Sequence, residues 1–253
     1  MRTDRLALVA VGLLVVLAGC SGSPGGTGPA TDGTETGEAG TVEYPAGVTQ
    51  SGIENASALI AATDQRLATT DYTLTQTLEQ QAGEESLSVT QRTRSSLTDE
   101  RRLFVFDATS ETNRLFVADG TQYLDAVSDG ETTSRSGPLE RSFESLHEPE
   151  MLGGGESLGG ILRNGNYTAA GTVERDGRRL VRFELTEADR SRISGSVTDA
   201  SGEVLVGDDG VVYDAALRIE LESGYLNQTF RIEQLGDVTV ERPDWVDGIE
   251  ETG

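Results

Sequence analysis

The chain has 253 residues and a net charge of −23, and all 20 of its basic residues are arginine. So acidic a surface excludes a nucleic-acid reader, which needs a basic face. It suits a salt-rich medium, where the Debye length falls to about 3 Å and crowded carboxylates repel less. A single cysteine, Cys20, and a single histidine, His147, exclude a disulfide framework and a structural zinc site.

The first stretch to carry a function is Leu17-Ala18-Gly19-Cys20. Arg2 and Arg5 precede an uncharged apolar run from Leu6 to Ala18, and small residues close it. That is the pattern of a secretory signal peptide, and the run is short of the roughly 20 residues of a membrane span. Residues 1–19 are therefore read as a signal peptide, and Cys20 as the thiolate that takes a lipid anchor. The four residues resemble the lipobox of prokaryotic lipoproteins. From Cys20 to residue 41 the chain is Ser, Gly, Thr, Pro, Ala and acids, with no large apolar side chain before residue 41. Such a segment reads as a flexible linker with a reach of roughly 25 Å. The folded domain is expected over 42–253, on the extracytoplasmic face of the cell membrane.

Within the domain, Tyr44-Pro45-Ala46-Gly47-Val48 reads as a turn, and Ala58, Leu59, Ala62 and Leu67 as the stripe of a helix capped by Asn55 or Ser57. From Tyr72 the apolar period becomes two. Strands are expected through Leu74 and Leu78, through Leu87 and Val89, over Arg101–Ala108, and from Arg114 to Leu124 with a turn at Asp119-Gly120. Residues 134–165 read as an interruption. Pro138 is placed at the first turn of a helix carrying Leu139, Phe143 and Leu146, and the glycines of 153–160 are taken as a flexible, apolar-tipped loop over the sheet. Asp176-Gly177, between Thr172–Arg175 and Arg178–Leu185, is a strong hairpin signal. Alternation then resumes at Glu203–Val206, Val211–Tyr213, Leu217–Leu221 and Phe230–Ile232. The fold class is α+β: a curved antiparallel sheet of about nine to eleven strands with helices over its apolar face.

The order of these elements resembles the lipoprotein-carrier superfamily, which includes the periplasmic lipoprotein carriers and the mycobacterial glycolipid-binding lipoproteins. The late segment Gly207-Asp208-Asp209-Gly210-Val211-Val212-Tyr213 into Leu217-Arg218-Ile219-Glu220 is similar to the superfamily's late hairpin. Phe230-Arg231-Ile232 to Gly236-Asp237-Val238 is similar to its last strand. The lipobox and acidic surface also resemble uncharacterised haloarchaeal lipoproteins. The resemblance implies a half-barrel whose concave face, lidded by helices, holds a lipid or another apolar ligand. Lining residues would come from Leu74, Leu78, Phe104, Phe106, Phe116, Phe183 and Leu217. The alternative is a surface module with a fully packed core that meets a protein partner.

Other chemistry is thin. No catalytic residue, metal ligand set or cofactor is assigned. His147 lacks a second histidine or a cysteine beside it, no strand is read into the glycines of 153–160, and no Gly-x-Ser-x-Gly elbow is read. Asn55, Asn166 and Asn227 each begin an Asn-x-Ser/Thr sequon and are candidate N-glycosylation sites on an exported protein.

Overall fold

The computed structural model describes residues 44–148 and 154–249. All of them belong to one compact unit, Val42–Gly253. Cys20, the signal peptide and the linker lie outside the described residues.

A short hairpin opens the domain, β1 (Val48–Thr49) with β2 (Gly52–Ile53). Helix α1 follows over Ala56–Ala68. Asn55 starts it, its side-chain oxygen accepting from the Ala58 N–H at 3.1 Å, which satisfies one of the helix's free donors. Leu59, Ile60, Thr63, Asp64 and Leu67 form its buried face.

The chain then runs through β3 (Tyr72–Ala82), β4 (Glu85–Ser96), β5 (Arg101–Ala108), β6 (Glu111–Ala118), β7 (Thr121–Ser128) and β8 (Glu131–Pro138). After the helical insertion come β9 (Gly165–Arg175), β10 (Arg178–Ala188), β11 (Val197–Gly207), β12 (Val212–Leu221) and β13 (Gly224–Leu235). These strands form one antiparallel sheet of 11, in the order β8-β7-β6-β5-β4-β3-β13-β12-β11-β10-β9. Two meanders are thus joined where β13 pairs with β3, from Leu235↔Tyr72 to Gly224↔Ala82. Asp119-Gly120, Asp129-Gly130 and Asp176-Gly177 carry positive φ at both residues, the conformation that two-residue hairpins demand.

Two expectations for the insertion are corrected. Pro138 does not begin a helix; it ends edge strand β8, where a missing N–H costs least. The nearby helical turn is a short 3-10 helix, Phe143–His147. The glycine segment is not a loose loop but helix α2, Gly154–Arg163, which buries Leu158, Ile161 and Leu162 to 3% exposure or less. Its glycines permit close approach. A Cβ on Gly160 would stand 3.2 Å from the Gln228 amide of β13.

Helix α2 touches β13, β12 and also β9, the strand at the edge of the sheet. A helix reaches both only if the sheet curls around it, so the face beneath α1 and α2 is concave. Tyr72, Leu74, Phe183, Val204, Leu217, Ile219 and Phe230 meet Leu59, Leu158 and Ile161 there in the main core. A second cluster lies on the opposite face. Val238, Val240 and Val246 of the C-terminal segment cover Phe116, Ala118 and Tyr123, with Trp245 packed beside them.

Candidate ligand-binding face

Among the described residues the helices are too few to cover the sheet. Eleven strands give ten spacings, roughly 48 Å across, whereas two helices shield about 20 Å. Both helices stand over the β3, β13 and β9–β12 side. The 3-10 helix covers only one end of β3–β5. It is pinned there by the Arg102 guanidinium, which donates to the Leu146 carbonyl, and by the Ser95 hydroxyl, which pairs with His147 Nε2. His147 Nδ1 faces the Phe143 carbonyl at 3.2 Å, so Nδ1 carries the proton and Nε2 accepts from Ser95. The ring packs edge-on to Tyr72, with centroids 6.3 Å apart. Burial and the nearby Arg102 charge push the imidazole down to about 4, so it is neutral at neutral pH.

What the described residues leave open is the concave face of β3–β7 beyond that plug. Pairing fixes which side chains share it: Leu78 faces Val89, Phe104 faces Leu115, Leu115 faces Leu124, and Phe106 lies in the next row. These six apolar side chains are half-buried, and they belong to neither core cluster. Five strands give a strip roughly 19 Å across, longer than the roughly 15 Å of hydrocarbon in one bilayer leaflet. Covering their remaining area is worth on the order of 5 kcal/mol before association costs. Leu87, at the outer end of the strip, is 43% exposed.

The sequence-derived lining residues divide three ways. Leu78, Phe104 and Phe106 lie on the open strip. Leu74, Phe183 and Leu217 share the concave face but sit under the helices at 1% exposure or less. Phe116 is on the other face, because it pairs with Leu103 and Tyr123 while its neighbour Leu115 pairs with Phe104. Val89, Leu115 and Leu124 were missed. Leu115-Phe116-Val117 is an unbroken apolar run, and such a run hides which residue faces which way.

The strip is also bordered by amides. Gln76 is 6% exposed, Gln228 is half-buried, and the Oε1 of each is sealed from solvent without a hydrogen-bond partner among the described residues. Each buried acceptor left unpaired costs about 1–3 kcal/mol.

Other features offer less chemistry. Ser95 with His147 has the atoms of a nucleophile–base pair, but Ser95 is 0% exposed, sealed beneath the 3-10 helix. Contrary to the sequence reading, Gly155-Glu156-Ser157-Leu158-Gly159 does spell Gly-x-Ser-x-Gly. It falls inside α2 rather than on a strand-to-helix turn, so it builds no elbow. Among the described residues no group of three His, Cys, Asp or Glu could hold a metal ion, and no helix is long and apolar enough to cross a membrane. A cleft of about 410 Å³ beside the β9–β10 turn includes Arg175 and Arg178. Both are engaged, Arg175 with Asp214 and Arg178 over the Tyr213 ring at 5.0 Å. Asn55 and Asn166 are exposed, whereas Asn227 is half-buried in β13 and its Nδ2 donates to Glu79 at 3.0 Å.

Several solved structures are similar to this chain at low identity. LprF from Mycobacterium bovis is 14% identical, with 76% of this chain and 99% of that chain covered and a TM-score of 0.34. For the lipoprotein LppX from Mycobacterium tuberculosis the figures are 18%, 72%, 98% and 0.30. For the MucA/MucB complex of Pseudomonas aeruginosa they are 12%, 78% and 0.30, and only 61% of that chain is spanned. No curated protein sequence matches significantly. The chain belongs to the family of unknown function DUF7537, whose model matches residues 5–249.

Proposed function

We propose that this protein is a lipid-anchored extracytoplasmic binding protein that holds a lipid or a similar apolar molecule on the open half of its concave face. The observation that carries the reading is the strip of Leu78, Val89, Phe104, Phe106, Leu115 and Leu124, only half-buried on a curved surface and outside both cores. A concave strip of this width suits a flexible chain better than a flat protein surface. Cys20, behind its apolar run, supplies the tether, and the linker sets how far the domain reaches from the membrane. The work assigned to the protein is binding or handing over a ligand, and no chemical step is assigned.

A second reading, a surface module for a protein partner, draws support from the tight packing of Leu74, Phe183 and Leu217 beneath the helices, which leaves those side chains no ligand-facing area. Native mass spectrometry with lipid extraction, on the chain purified in molar salt, separates the two. A reproducible co-purifying lipid supports the carrier. A clean apo mass with no uptake of added lipid supports the partner module. On the anchor, Cys20→Ser is expected to release the protein from membranes into the medium; retention of that variant on membranes overturns the lipobox.

A further inference from the structure

The open strip carries two features that plain packing does not require. Gln76 of β3 and Gln228 of β13 both present an amide oxygen that is buried and unpartnered. Their registers place them together: Gln228 faces Leu78 and Gln76 faces Phe230, so the two amides are diagonal neighbours on the concave face. Gln91 of β4 lies directly across from Gln76, and Phe106 directly across from Gln91. The amides therefore stand at one border of the apolar strip. Helix α2 ends the covered region at the same place, since its Gly160 abuts the Gln228 amide.

The floor immediately around the two amides is uncharged. The concave positions of the strip are Gln76 and Leu78 on β3, Val89, Gln91 and Thr93 on β4, and Phe104 and Phe106 on β5, next to the buried Leu74. Asn113 and Leu115 on β6, with Leu124 and Ala126 on β7, continue it, and charges stand at its far edges, where Arg135 of β8 faces Leu124 and Asn113 donates to Glu111. Arg102, at the plugged end, is already committed to the Leu146 carbonyl. A phosphate or carboxylate laid against Gln76 and Gln228, several strands from Arg135, would lose water and gain no adjacent counter-ion, within a chain of net charge −23. A bare hydrocarbon would leave both amide oxygens unpaired. A hydroxyl or amide group meets them well, because a carboxamide accepts through one end and donates through the other.

Resting on the binding reading above, we infer that the occupant is an uncharged amphiphile, its hydroxyl or amide group received by Gln76 and Gln228 and its chain laid along Phe104, Phe106, Leu115 and Leu124.

The test is calorimetric titration of the full chain in molar salt with three probes of matched chain length: a monoacylglycerol, the corresponding fatty acid ionised at pH 8, and the corresponding alkane. The monoacylglycerol is expected to bind at least tenfold more tightly than either of the others, a difference of about 1.4 kcal/mol. In the variant carrying Gln76→Leu and Gln228→Leu that preference is expected to vanish while alkane binding is kept or improved. The probe ranking on the unaltered chain stands whether or not the variant folds. Equal binding of the three probes, or tightest binding of the fatty acid, overturns the amide assignment and leaves the apolar site standing. No binding of any probe overturns both.

Discussion

Asp64 and His147 are both buried ionisable groups, and they respond to acid with opposite signs. Asp64, on the inner face of α1 at 6% exposure, has an unpartnered Oδ1, and burial pushes its carboxyl up to about 6. Its folded pKa lies above the unfolded one, so its contribution is complete below pH 4 and is lost as pH rises through about 6. Asp64→Asn is therefore expected to stabilise the fold at pH 7.5 by about 2–3 kcal/mol and to change little at pH 3.5, read by denaturant unfolding at each pH. His147 runs the other way: its folded pKa, about 4, lies below the unfolded 6.5. Its contribution is complete above pH 6.5 and is lost as pH falls through about 4. The wild type should thus show a shallow profile across pH 4–6.5. His147→Gln should destabilise at pH 7 and lose most of that penalty by pH 4. A penalty that stays constant with pH would mean that the neutral imidazole is not what holds the 3-10 helix on Ser95.

The elements were legible where their signal is local. Asp119-Gly120 and Asp176-Gly177 set their hairpins by turn chemistry alone, and Asn55 set the start of α1. Helix α2 was not legible, because a segment with five glycines among residues 153–160 has poor intrinsic propensity and is held by what it packs on. Strand β8 was missed for a related reason: it is largely exposed and carries no alternation, so only its pairing with β7 defines it. The N-terminal hairpin, with Val48 buried in the main core, also makes one very close approach to the sheet edge. Gly52 has φ +144, and a Cβ there would come within 1.9 Å of the Tyr167 carbonyl oxygen on edge strand β9. Gly52→Ala must push the hairpin off that edge, at a cost of about 2–4 kcal/mol. Gly83→Ala is the control, since its positive φ is matched by open space around the added methyl. Thermal unfolding of the two variants should rank them in that order, and equal losses would show that the close approach is unimportant.

At the scale of the whole molecule, net charge and sheet coverage decide behaviour together. With 43 acidic residues against 20 arginines, the folded chain repels itself in dilute buffer. Raising salt from 0.1 to 2 M is expected to lift Tm by about 5 °C or more, and an unchanged Tm would remove the salt-adaptation reading of the composition. Coverage is split between the two faces: helices on the concave side of β3, β13 and β9–β12, and the C-terminal segment on the convex side of β5–β7. The concave side of β4–β7, with the Leu78 end of β3, is left over by the described residues, which no local pattern in the sequence could have shown, because alternation reveals that a face is apolar and not what covers it. Core and site can therefore be separated by substitution. Phe183 is fully buried beneath α1 and α2, so Phe183→Ala should cost about 3–5 kcal/mol and lose ligand only as the fold is lost. Phe106 is only half-buried on the open strip, so Phe106→Glu should cost clearly less stability than Phe183→Ala while abolishing lipid uptake. If Phe106→Glu instead unfolds the chain, the strip is part of the core; if it folds and still binds lipid, the ligand sits elsewhere.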